Sequence, residues 1–203
     1  MTRHFYLFTS LSAAMLVGNV AGCADDSGDV SVAILNNMQP AADDGLVTAS
    51  ETGPFSSPGH LNLATAGQFT MIPLMKNFAS SNQSAQTISR TFFGESFLVS
   101  LSSPDPAIDA LIKVRDFSEL DGFSIAPDGS LTVAFVTVIS RDLRNAIAAN
   151  WTATSPTAVI VAKVQAVGKM GGSSMSSNEF SFPIEIDCVD PITDPPTPGV
   201  CPK

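Results

Sequence analysis

The sequence predicts an all-β fold, an antiparallel β-sandwich of immunoglobulin-like character with one short helix. Three observations carry that reading. Runs of Val, Ile, Phe and Thr alternate with polar residues, the period-two signature of strands with one face in a core. Clusters of Pro, Gly, Ser and Asp separate those runs at short intervals, as turns do. One stretch, residues 141–150, places Leu143, Ala146, Ile147 and Trp151 at helical spacing behind Ser140, a good N-cap.

The chain opens on a different pattern. Arg3 and His4 precede an apolar run over residues 5–17 that is too short to span a bilayer and fits the core of a signal peptide. The run leads into Val20-Ala21-Gly22-Cys23, which looks like a bacterial lipobox. Cys23 would then become an acylated N-terminus, and several acyl chains hold a protein at a membrane where one alone holds it weakly. Ala24, rather than Asp, follows the cysteine, a sorting pattern similar to that of outer-membrane lipoproteins. Residues 1–22 are thus expected to be a lipoprotein signal peptide and 23–28 an acylated tether. Residues 29–187 form the β-sandwich domain, as one sandwich or as two small ones divided near residue 104. Residues 188–203 form a Pro-rich tail.

Within the sandwich, Val30, Val32 and Ile34 start a strand, and residues 39–59 read as a long loop. Residues 69–78 are strongly apolar, with Pro73 pointing to an edge or a bulge. Residues 87–101 are β-rich on both sides of Gly94, which suggests a hairpin or one long bulged strand. Residues 107–117 admit two readings, a helix capped by Asp105-Pro106 or a strand, and the strand is preferred. Pro127-Asp128-Gly129 between apolar runs predicts a hairpin turn. Residues 157–167 predict a central strand and residues 179–187 the last one.

Charge and cysteines narrow the function classes. The chain carries −9, and loss of Arg3 with the signal makes the remainder −10, because all nineteen acidic residues follow Cys23. Such a surface repels phosphate backbones, so nucleic acid is not an expected partner. With Cys23 acylated, Cys188 and Cys201 are the only cysteines left and are expected to pair in an oxidising envelope. A metal site there lacks histidine and zinc-ligand spacing.

Catalytic chemistry is thinly supplied. After signal removal His60 is the single histidine, read as a solvated loop residue, and Ser56 and Ser57 beside it lie in no G-x-S-x-G or S-x-x-K motif. The acidic residues Asp105, Asp109, Glu119, Asp121, Asp128, Asp187, Asp190 and Asp194 match no EF-hand spacing. They read as solvated loops, with Ca²⁺ binding the weaker alternative and no cofactor expected. Trp151 lies at an apolar helical position and Tyr6 leaves with the signal, which disfavours a glycan-stacking surface. Gly171-Gly172 lacks the Lys-Ser/Thr of a phosphate loop.

The segment from Val164 to Cys188 resembles the closing hairpin of a group of uncharacterised envelope lipoproteins of Gram-negative bacteria. The match lies in Gly168, Gly171, Gly172, Ser177, Glu179, Phe180, Phe182, Pro183, Ile184 and Cys188. It covers about an eighth of the chain, and those relatives carry their second cysteine closer to the first than Cys201 lies here. The resemblance implies an envelope location and a sandwich architecture, and no activity. The expectation is a non-enzymatic, lipid-anchored protein that binds or helps assemble another envelope component; an envelope hydrolase using loop carboxylates and a structural surface coat are the alternatives.

Overall fold

The spine of the structure is a strand of fourteen residues, β9 (Thr157–Met170), paired along both of its edges. On one side it meets β5 (Phe92–Ser102) from Phe92↔Met170 to Ser102↔Val161, and β6 (Phe117–Ile125) lies beyond β5. On the other side it meets β11 (Phe180–Asp187), and β2 (Gly59–Asn62) lies beyond β11 in a parallel pairing. Ile160, Ala162, Val164 and Ala166 point inward and are fully buried, while Lys163 and Lys169 point outward. The central position expected for this strand holds. It arises from pairing on both edges rather than from burial of both faces, since Val159 remains exposed.

This computed structural model describes residues 31–39, 47–56, 58–65, 67–80, 90–112, 117–151, 157–188 and 201, with the side chains of 117–121 excepted. The expected signal peptide, Cys23, the tether, Ser57, Asp190, Asp194 and the tail apart from Cys188 and Cys201 lie outside the described residues.

The segment from β9 to Asp187 forms a long hairpin. Gly171 and Gly172 both take positive φ, 58° and 85°, as a two-residue turn between right-twisted strands requires. The return strand comes in two pieces, β10 (Ser173–Ser176) and then β11, both on the same side of β9. At the break, the backbone N–H of Ser177 donates to Ala166 O, and its hydroxyl accepts from Ala166 N, each at 2.9 Å. The carboxamide of Asn178 accepts from Ile34 N at 2.7 Å and donates to Ile34 O at 3.2 Å. It thereby satisfies the backbone of an edge strand in the opposite sheet and ties the two sheets together. Phe182, Ile184 and Ile186 are buried, and Pro183 faces outward. β11 is an interior strand, contrary to the edge position that Pro183 suggests; its parallel partner begins only at Ile184, one residue past the proline.

The second sheet orders β1 (Val32–Asn37), β4 (Pro73–Asn77) and β7 (Leu131–Val133). β3 (Phe69–Met71) and β8 (Val136–Ile139) extend it, because one register runs from Thr70↔Thr137 to Lys76↔Leu131 with a gap at residues 72–73 and 134–135. Pro73 has no N–H to close that gap, and Ile72 turns to β1 instead. Its N–H donates to the Asn37 side chain at 2.7 Å, and its carbonyl accepts from Met38 N at 2.8 Å. Pro73 thus sits in the middle strand at an interruption of the ladder, not at an edge.

Between the two sheets lies a core to which strands on both sides of residue 104 contribute. Val32, Ile34, Met71, Met75, Val136 and Val138 meet Phe92, Phe97, Val164 and Phe182. Phe123 stacks on Phe97 at 5.2 Å between ring centroids and covers Gly94, where a Cβ would lie 2.2 Å from its ring. The β-bulge at Gly94/Ser96 makes β5 one long strand, the second of the two forms that the sequence allows there.

The loop expected over residues 39–59 is put to use. Residues 47–56 lie as a strap across the outer face of the second sheet, where Val47, Ala49 and Phe55 pack against Met38, Ile72 and Leu74. Backbone bonds Gln39 N to Pro54 O and Ser56 N to Asn37 O fasten it, as does an ion pair between Lys76 and Glu51.

Two helices, rather than one, are present among the described residues. α1 (Pro106–Ile112) stands where a strand is preferred, over the described first part of residues 107–117. Asp105 Oδ1 accepts from Ala107 N at 2.8 Å, Pro106 takes the first helical position, and the Asp109 carboxylate accepts from Ser103 N. Ile108 and Ile112, four residues apart, bury the inner face, a pairing that the strand alternation had masked. α2 (Arg141–Ala149) forms as expected, with the Ser140 hydroxyl accepting from Leu143 N and with Leu143 and Ile147 buried. Residues 126–130 also depart from expectation. They are not a hairpin turn but a crossing from β6 in one sheet to β7 in the other. Asp128 and Gly129 both take left-handed φ, and the turn is held by β4 through Gly129 N to Asn77 O, Asn77 N to Ser130 O, and Asp128 N to Ala79 O.

Candidate functional site

Among the described residues, two of the candidates, His60 and Asp187, come together at the edge where β2 joins β11. β2 is short and begins at Gly59, where a Cβ would come within 2.5 Å of the Phe69 ring and 2.8 Å of Phe182. The parallel register sets Glu185 opposite His60 and Asp187 opposite Asn62. His60 is therefore a strand residue, not a loop histidine. Its Nε2 lies 2.9 Å from Asp187 Oδ2. The His60 side chain is 58% exposed and that of Asp187 only 14%, so the pair is a solvent-facing imidazole seated on a mostly buried carboxylate. Asp187 Oδ1 is buried with no hydrogen-bond partner among the described residues.

A contact of this exposure is worth about 1 kcal/mol or less, since water competes for the imidazole. His60→Ala is accordingly expected to shift the melting temperature by no more than about 4 °C in a domain of this size. A thermal melt giving a much larger loss would make the pair a structural clasp for β2.

Directly after Asp187, Cys188 is fully buried and bonded to Cys201, with S–S 2.05 Å and Cα–Cα 5.2 Å. Cys201 packs against the main core, so the bond fixes the end of the tail to the end of β11. Closing a loop of thirteen residues' separation is worth about 3 kcal/mol in the chain-entropy account. The double variant Cys188→Ser/Cys201→Ser is expected to lose about that much in urea unfolding. An unchanged midpoint would show that the tail adds nothing to the fold.

The other predicted candidates are dispersed. Asp105 and Asp109 are engaged in capping α1, Asp128 shapes the inter-sheet turn, and Ser56 belongs to the strap. Glu119 and Asp121 lie in β6, and Trp151 packs part-buried on the core beyond α2. Gly171-Gly172 is a hairpin turn. Among the described residues, no group of three or more His, Cys, Asp or Glu side chains is placed to hold a metal ion. No helix there is long and apolar enough to cross a membrane. The His60–Asp187 contact spans 127 positions, and only the β2/β11 register reveals it.

Fold and site together define a class, a β-sandwich with a disulfide at the end of its last strand. Comparison with protein-family models, curated proteins and solved structures finds no match for the chain.

Proposed function

We propose that the protein is a lipid-anchored component of the bacterial envelope, held by acylated Cys23, whose sandwich binds or helps assemble another envelope protein. The observation that carries this reading is the apolar run ending in Val20-Ala21-Gly22-Cys23. A disulfide at the domain's end supports it, because such bonds persist in oxidising compartments. The segment resembling envelope lipoproteins points the same way, and Ala24 after the cysteine favours the outer membrane over the inner.

The test is metabolic labelling with a fatty acid followed by membrane fractionation. Wild type is expected to carry the label and sediment with membranes, and Cys23→Ala to lose both properties. A Cys23→Ala protein that keeps its label and its membrane association would refute the anchor. Crosslinking in cells then addresses the partner: one stoichiometric envelope protein supports the accessory role, and recovery of the protein alone favours a surface coat.

The His60–Asp187 pair is the one observation that favours an enzyme instead, as an acid–base couple. Loss of a measured hydrolase activity in His60→Ala would move the assignment to that class.

A further inference from the structure

We propose that the end of the sandwich bearing Phe78 and Phe93 rests in the headgroup layer of the membrane, as a second contact beside the lipid anchor. The inference rests on the Cys23 anchor proposed above.

Its first ground is where the chain enters the fold. The described residues begin at Ser31, whose carbonyl accepts from Phe78 N, and Val32 pairs with Asn77. Phe78 is thus a direct neighbour of the point of entry. Eight residue steps separate Ser31 from Cys23, a reach of at most about 28 Å at full extension and about 16 Å for a flexible coil. An acylated Cys23 therefore tethers the domain by this end, which a coiled tether of that length keeps nearest the lipid surface.

The second ground is what that end displays. Asn77 Nδ2 donates to Arg90 O and to Ile125 O, both at 2.9 Å, which gathers the end of β4, the approach to β5 and the end of β6 at one place. Phe78, 54% exposed, lies with Lys76 toward the outer side of the second sheet, and Phe93, 47% exposed next to buried Phe92, lies on the outer side of the first, so the two rings flank this end from its two sides. Lys76 Nζ lies over the Phe78 ring, 5.2 Å from its centroid, while paired with Glu51, so the ring is backed by a neutralised ion pair. A half-exposed apolar ring whose neighbouring charge is already neutralised suits the boundary between headgroups and acyl chains.

The occupant follows from charge. At −10 after signal removal the domain is not drawn to anionic lipid by its net field, so the contact is an apolar one. Two phenylalanines would not hold a free protein at a bilayer. Beside an anchor they act at the high effective concentration of a tethered group.

The test uses the acylated protein reconstituted in vesicles of phosphatidylethanolamine and phosphatidylglycerol, with and without brominated acyl chains. Single tryptophans are placed by Phe78→Trp, Phe93→Trp or Phe135→Trp in a Trp151→Phe background. Phe135 is equally exposed but stands opposite Ile72, five residues along the sheet from Asn77, about 16 Å away. Quenching several-fold stronger at positions 78 and 93 than at 135 is the expected result. Vesicle-bound, acylated protein with no quenching at 78 and 93, or with equal quenching at all three, overturns the contact and leaves the anchor standing. Absence of the acyl mass on Cys23 overturns both.

Discussion

Asn77→Ala is expected to destabilise the fold by about 3–4 kcal/mol, lowering the melting temperature by about 10 °C. Asn77 is fully buried, and its side chain serves three backbone groups at once. The amide donates to the carbonyls of Arg90 and Ile125, and the side-chain oxygen accepts from Ala79 N at 2.9 Å. Alanine would leave those groups without their partner in a place that water reaches poorly, and each unmade buried bond costs about 1–3 kcal/mol. The same residue's backbone holds the crossing turn through Gly129 and Ser130, so β4, β5 and β6 loosen together. Chemical denaturation measures the effect. A loss below about 1 kcal/mol would mean that the Asn77 side chain adds little to the joining of the two sheets at this end.

Gly168→Ala is the second large effect, expected at about 3 kcal/mol or more. In β9, opposite Gly94, a Cβ at this position would stand 2.1 Å from Phe93 O and 2.8 Å from Gly94 Cα. These are backbone atoms of a strand already bulged to fit, so no rotamer change relieves the clash, and the central β5/β9 ladder must shift. Gly122→Ala in β6 is the matched control. Nothing lies within 4 Å of its added Cβ, and its expected effect is within about 0.5 kcal/mol. Equal melting temperatures for the two variants would show that the ladder at Gly94 and Gly168 yields without cost.

The candidate site was legible in parts and not as a whole. His60 and Asp187 each stand out as titratable residues, and Cys188 and Cys201 follow from counting. The pairing of His60 with Asp187 does not, because a four-residue parallel strand leaves no local signature and its partner is 127 positions away. The reading of Asp105 and Asp109 as loop acids failed for a related reason. Capping and solvation call for the same residue types, and the choice between them depends on whether Ile108 and Ile112 find a core to bury against.

What the sequence determined by itself is whatever local periodicity and capping specify. That covers the β class, the course of β9 and β11, the helix behind Ser140 and the cysteine pair. Each of these follows from side chains within a few residues of one another, or from elimination. The tertiary structure alone decided which sheet each strand enters. Pro127-Asp128-Gly129 has the chemistry of a hairpin turn, yet Asn77 captures it from another strand and directs the chain across the core. The strap of residues 47–56 likewise looks like any polar loop until the apolar outer face of the second sheet gives Val47 and Phe55 somewhere to pack. Turn residues permit a reversal, but the partner that satisfies their backbone, and the surface left uncovered beside them, come from distant parts of the chain.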